Sequence, residues 1–331
     1  RIAASTNTSK VTLLRVLRLR PAPEGPETLV AQFGIGLLGS SILRALRVRG
    51  QLSEERLPLG WDLCSEQGGA ELAAIGTRLE ELLDQSSARE LSVVWSAGRA
   101  GFSATPAETE AELASYQAAL DWAAALGERV GRPTSFHLLS SAGGLFEGSG
   151  LVTSQSAPAP QRPYGELKLR QEQALGERSL LARIYRPTTV YGFLHPRHRQ
   201  GLIQTLLLRA IRHQVTQIYG GLATLRDFVY SEDVGEFVAR QVLSESPSPT
   251  DTFLLGSGKP SSIFEVRRIV ERLLGRKVYV SVRSTPTNSA NLTYHSSAFP
   301  ERWTPSELQT GIRQIQTRWA RRGMPLDPLR G

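Results

Sequence analysis

The chain opens its regular pattern at "TLVAQF" (28–33), a short apolar run that reads as a buried strand. "PAPEGPE" (21–27) before it is a Pro/Gly linker, and "GIGLLGSSILRALRVRG" after it is a glycine turn running into a helix. "RLPLGWD" (56–62) follows as a second strand, 69–84 as a helix, and "ELSVVWSAG" (90–98) as a strongly apolar strand. Residues 107–129 then read as a long helix, "PTSFHLLSSAGG" (133–144) as a strand, 163–176 as a helix and "SLLARIYRP" (179–187) as a strand. Strands alternating with helices from 28 to 187 imply an α/β fold with a doubly wound, mostly parallel sheet.

The second half is shorter-limbed. Helices are expected at 201–213, 231–244, 261–274 and 305–321, and strands at 251–258 and 277–282, with short extended pieces at "QIYGG" and "LRDFVY". This mixture suits a smaller substrate-binding lobe. The expected division is an N-terminal segment 1–27, a nucleotide-binding unit 28–191 and a lobe 192–331, with about 225–258 returning to the first unit.

At 331 residues, 40% hydrophobic and 21% charged, the chain can bury a sizeable core. It has no apolar run of about 18 residues, which argues against a membrane span. A single cysteine, Cys64, excludes an internal disulfide and points to a reducing, cytoplasmic setting. The five histidines show no metal-ligand spacing beyond "HPRHR", which reads as a loop, so no metal is expected. The net charge of +8 favours anionic partners, nucleotide diphosphates among them. Part of it is local: residues 1–23 contain no acid and carry Lys10, Arg15, Arg18 and Arg20. That stretch reads either as a transit-peptide-like start or as a solvated edge segment or tail. No aromatic-interleaved basic motif supports binding to nucleic acid.

Three motifs carry chemistry. Gly34-Ile-Gly36-Leu-Leu38-Gly39 lies between a strand and a helix, where glycines let the backbone approach a pyrophosphate at the helix N-terminus. Asp62, 23 residues after Gly39, is the candidate for the adenosine ribose, with a turn aspartate as the competing reading. With no arginine in the glycine loop, NAD is expected rather than NADP. Second, Ser140 and Ser141 end a sheet strand, where a hydroxyl can reach a reacting oxygen or simply cap a helix. Third, "PYGELK" puts Tyr164 and Lys168 one helical turn apart, on one face. Eight tyrosines and four lysines in 331 residues would give roughly 0.1 such pairs by chance. An ammonium beside a phenol favours the phenolate, which can exchange protons with an alcohol or sugar hydroxyl.

In this order the parts resemble the short-chain dehydrogenase/reductase superfamily, in its extended branch of NAD-dependent nucleotide-sugar epimerases and dehydratases. The resemblance runs from about residue 28 to the C-terminus. It includes "RIYRPTTVYG" (183–192), "IYGGLATLRDFVYSEDV" (218–234) and "FLLGSGKPSSIFEV" (253–266). It implies a Rossmann sheet in which Tyr164 is the catalytic acid/base and Lys168 holds the nicotinamide ribose. Ser141 or Ser140 would polarise the substrate oxygen, and Ala97 and Pro187 would flank the cofactor. Arg226 and Tyr191 would contact the substrate, Arg226 through its diphosphate, unless Arg226 serves instead as a partner for Asp227. A homodimer through 107–129 and 163–176 is also implied.

The sequence departs from the family in places. The glycine pattern is GxGxxG with Phe33 ahead of it, and the strand that normally follows the second helix, with its acidic adenine contact, is missing between 62 and 90. "SSAGGLFEG" lacks the Asp-Glu pair of dehydratases, which disfavours 4,6-dehydration. The function expected is therefore a sugar-nucleotide epimerase or reductase. The contrasting reading is a non-catalytic scaffold or nucleic-acid binder on the same fold.

Overall fold

A computed structural model describes residues 14–194, 200–244, 248–283 and 290–322. Lys10 and the "HPRHR" histidines lie outside the described residues. The first unit begins with β1 (Leu14–Leu19), β2 (Glu27–Phe33), α1 (Leu37–Arg47), β3 (Gln51–Leu57) and α2 (Glu66–Asp84). It continues with β4 (Ala88–Trp95), α3 (Pro106–Val130), β5 (Thr134–Leu139), α4 (Ala142–Leu145) and β6 (Gly150–Val152). Next come α5 (Pro163–Gly176), β7 (Leu181–Pro187), β8 (Thr189–Tyr191), α6 (Leu202–Ile211) and β9 (Thr216–Tyr219). The chain then forms β10 (Leu225–Arg226), β11 (Phe228–Tyr230), α7 (Ser231–Val242), β12 (Thr250–Leu255) and β13 (Ser261–Ser262). It ends with α8 (Ile263–Leu274), β14 (Val280–Arg283), β15 (Leu292–Tyr294) and α9 (Leu308–Arg321).

Among the described residues seven strands make the main sheet, in the order β12-β7-β5-β4-β2-β1-β3. One face packs on α2, α3 and α5, through residues such as Leu79, Leu120 and Leu175. The other packs on α1 and α7, through Ile42, Leu46 and Val238. Both α7 and β12 come from the later half of the chain. The second lobe has its own core, where Leu206, Val270 and Ile315 of α6, α8 and α9 meet. The C-terminal ends of the parallel strands are level: Phe33 lies opposite Trp95, Trp95 opposite Leu138, and Leu139 opposite Tyr185. Loops leaving that edge build the site.

The arginine-rich start is the main surprise of the fold. β1 sits inside the sheet, antiparallel to both β2 and β3. It therefore separates β2 from β3, so the strand that follows α1 lies at the sheet edge rather than beside β2. Its apolar residues point both ways, Leu14 and Val16 to one core and Leu17 and Leu19 to the other. Its charges meet acids locally: Arg15 lies 3.7 Å from Glu54, and Arg18, with Arg20 just past the strand, donates to the buried carboxylate of Glu27. The strand expected at 56–62 is correspondingly displaced to 51–57. Gly50, at φ +83°, turns the chain directly into it, and its polar side chains suit a sheet edge.

Helices α1 and α7 cross closely at Gly235, where a Cβ would stand 2.6 Å from the Ser41 carbonyl carbon. Gly235→Ala should cost about 1–3 kcal/mol through overpacking. A thermal melt indistinguishable from the parent protein would refute that.

His137 is sealed between β-strand neighbours, with Nδ1 2.9 Å from the Tyr185 hydroxyl and Nε2 3.0 Å from Ser135 Oγ. Burial, aided by the nearby Arg183 charge, lowers its pKa from 6.5 to about 3. An imidazole kept neutral in the fold but charged when unfolded stabilises fully above its unfolded pKa, and this stability drains away as pH falls. Between about pH 6 and pH 4, urea melts should lose roughly 1.4 kcal/mol per pH unit that a His137→Gln variant does not lose. Parallel pH profiles for the two proteins would contradict this assignment.

Candidate active site

The glycine turn is shaped by packing. Gly34 adopts φ +82°, and a Cβ there would lie 2.5 Å from the backbone of Ala97. One at Gly39 would lie 2.2 Å from the Gly34 carbonyl oxygen. Gly36 differs: it is exposed, and nothing comes within 4 Å of a Cβ placed on it. Two glycines close the turn and the middle one leaves an open approach to the start of α1. That helix has no acidic residue in its first turn and no side-chain cap, so its leading N–H groups face an anion-ready space. These features fit the pyrophosphate of a dinucleotide.

The turn is latched from below. Gln32 Nε2 donates to the Gly39 carbonyl at 2.7 Å, and Ser96 Oγ lies 2.8 Å from the carbonyls of Phe33 and Gly34. Leu38 is half-buried against the α1/α7 core.

Helix α5 starts at Pro163, whose fixed φ suits a first helical position. Tyr164 is half-buried, and its ring carbons would be 3.1 Å from a Cβ on Gly144. Phe102 packs against it, with ring centroids 5.3 Å apart. Lys168 is buried, its Nζ 5.9 Å from the centre of the Tyr164 ring. The ammonium donates to Gln171 Oε1 at 2.9 Å and lies 3.5 Å from the Leu139 carbonyl and 3.9 Å from Glu112 Oε1.

The two serines part company. Ser140 Oγ donates to Glu172 Oε1 at 2.5 Å, and Arg186 grips the same carboxylate at 3.0 and 2.6 Å. Ser141 caps α4, accepting the Gly144 N–H at 3.1 Å, and so stands beside the glycine that touches Tyr164. Pro187 closes β7 at the same edge, opposite Leu255.

Arg226 lines a cleft of about 230 Å³ with Phe102, Gly143, Glu147, Thr224 and Phe228. Its guanidinium donates to the carbonyls of Leu225 and Ala290, and burial lowers its pKa. Asp227 is engaged elsewhere, by Thr188 Oγ1 and the Ser257 and Gly258 N–H groups, each at 2.7 Å.

Two expected contacts are placed differently. Asp62 is exposed in the loop beyond β3, where it accepts the Cys64 N–H at 3.2 Å, as a turn aspartate does. Tyr191 is buried in the second lobe's core against Tyr230, with its hydroxyl 3.4 Å from the Leu308 carbonyl, away from the cleft. The sequence reading did not single out Gln32, Ser96, Phe102, Glu112 or Gln171. Only Gln32 carried a signal, as a polar residue deep in an apolar strand. Among the described residues there is no cluster of metal-ligating side chains, and no helix is long and apolar enough to cross a membrane.

Residues 34–256 match the model of the NAD dependent epimerase/dehydratase family, and the chain belongs to that family. A dTDP-L-rhamnose 4-epimerase from Burkholderia thailandensis is 28% identical over 185 residues, 52% of this chain and 51% of that protein. The match thus spans about half the length of this curated relative. The structure of MoeE5 in complex with UDP-glucose and NAD superposes with a TM-score of 0.68 at 22% identity, over 90% of this chain and 99% of that one. A UDP-glucose 4-epimerase of Thermus thermophilus, complexed with NAD, gives 0.63 at 20% identity over 88% and 98%. These likenesses establish the Rossmann-type α/β fold.

Proposed function

We propose that the protein is an NAD-dependent epimerase acting on a sugar joined to a nucleoside diphosphate. One observation carries this reading: Tyr164 and Lys168 share a face of α5 at the sheet edge that also bears the open glycine turn. NAD, when bound, supplies hydride acceptance from the sugar carbon and hydride return. Gly34, Gly36, Gly39 and the start of α1 would hold its pyrophosphate. Lys168 would hold the nicotinamide ribose, with Ala97 and Pro187 alongside.

Tyr164 would take the proton from the sugar hydroxyl at its phenolic oxygen and later return it. Ser141 would donate to the same substrate oxygen, a role Ser140 cannot share while it is tied to Glu172. Arg226, in the cleft next to this site, would pair with the diphosphate. Dimerisation would use α3 and α5, which already share the ion pair Glu110–Arg170.

The test is to denature the purified protein and look for released NAD, then to assay UDP- and dTDP-sugars for a change of configuration. Tightly held NAD with epimerised product is the expected result. Saturable NAD binding with net reduction of the sugar would convert the assignment to a reductase. Binding of neither NAD nor NADP would overturn it.

A further inference from the structure

A carboxylate outside the Tyr/Lys/Ser set is built into this site. Glu112, on α3, is almost fully buried, and its Oε2 accepts the N–H groups of Arg99 and Ala100 at 2.7 and 2.8 Å. That loop follows β4, the strand beside the glycine turn, and Arg99 is pinned over the Trp61 ring at 4.5 Å. Among the described residues Oε1 has no hydrogen-bond partner, and it stands 3.9 Å from Lys168 Nζ. Gly98 leaves it room, for a Cβ there would come within 3.1 Å of that oxygen. A buried carboxylate with one oxygen fixed by two backbone donors and the other aimed at a buried ammonium is a preorganised charge.

We propose that Glu112 is the counter-charge of the Tyr164–Lys168 site, a positioning residue that holds the lysine ammonium and favours the oxidised cofactor over the reduced one. This rests on the reading that Lys168 meets the nicotinamide ribose. The oxidised nicotinamide ring carries a positive charge and the reduced ring carries none. A lysine ammonium beside it repels only the oxidised form, in a buried setting where charges are weakly screened. Glu112 offsets that repulsion. An epimerase that must return each cycle to the oxidised cofactor gains from such a bias.

The measurement is the dissociation constant of NAD⁺ and of NADH for the cofactor-stripped protein, by calorimetry or fluorescence. Glu112→Gln keeps an oxygen for the Arg99 and Ala100 N–H groups and removes the charge. It should weaken NAD⁺ roughly tenfold more than NADH. Lys168→Met should weaken both forms but move their ratio the opposite way, and the double variant should bring the ratio back toward that of the parent. Equal weakening of both forms by Glu112→Gln would reduce Glu112 to a brace for the 99–100 loop and overturn the inference. Unchanged affinity in Lys168→Met would remove the placement of the ribose at Lys168, and with it this inference.

Discussion

Replacing Tyr164 with phenylalanine should lower kcat by about 10²–10⁴-fold, the usual contribution of a positioned acid/base. The fold and cofactor affinity should persist, because the substituted ring keeps its contacts with Gly144 and Phe102 and only an oxygen is lost. The group that would carry the proton is then gone, and neither serine can replace it. Ser140 is held by Glu172, and Ser141, which accepts the Gly144 N–H, would on the proposed reading donate to the substrate oxygen rather than take its proton. The decisive comparison is kcat against the NAD dissociation constant for parent and variant. Turnover within a few-fold of the parent would remove Tyr164 from the chemistry.

A comparably large effect on stability is expected at Glu27. Its carboxylate is 3% exposed and receives hydrogen bonds from Arg18 and Arg20 across the β1–β2 hairpin. Glu27→Ala strands two arginines at the end of an interior strand. Breaking a fully buried pair costs about 3–5 kcal/mol, and here about 2–3 is expected because the Arg20 side chain is 37% exposed. Burial pushes the Glu27 pKa up, but the bonds from Arg18 and then Arg20 outweigh this and hold it below the ordinary value. The stabilisation is therefore present above the unfolded pKa, near 4.5, and is lost as pH falls through the lower folded value. Denaturant melts of parent and Glu27→Gln should converge toward acid pH. A gap that stays constant from pH 7 to about pH 3 would show that charge is not the cause.

What could be read from the sequence was local. The turn at Gly34–Gly39, the helix bearing Tyr164 and Lys168, and the apolar strands β2, β4, β5 and β7 each announce themselves within a dozen residues. β1 did not, because an isolated "LLRVLRL" with arginines at both faces resembles a solvated tail until Glu27 neutralises it. Nor did the place of Tyr191, since an aromatic at the end of a short strand looks the same whether it faces a cleft or a core. Asp62 was drawn into the site by a strand placed five residues too late. Glu112 is an ordinary helical glutamate in the sequence. Only the packing of α3 against α5 brings it to Lys168, from 56 positions away.

The reversed β1 also bears on how the molecule is made. β1 and β2 form a hairpin joined by seven residues, 20–26, a contact between near neighbours with little loop-closure entropy to overcome. Among the described residues β1 is the only strand of the main sheet hydrogen-bonded to β3. A sheet grown outward from the glycine turn in ordinary parallel fashion would wait for a helical crossover before gaining its first neighbour. Here β1 precedes both in the chain and pairs with both, so these three strands can be expected to assemble from neighbouring sequence before α5 has left the ribosome.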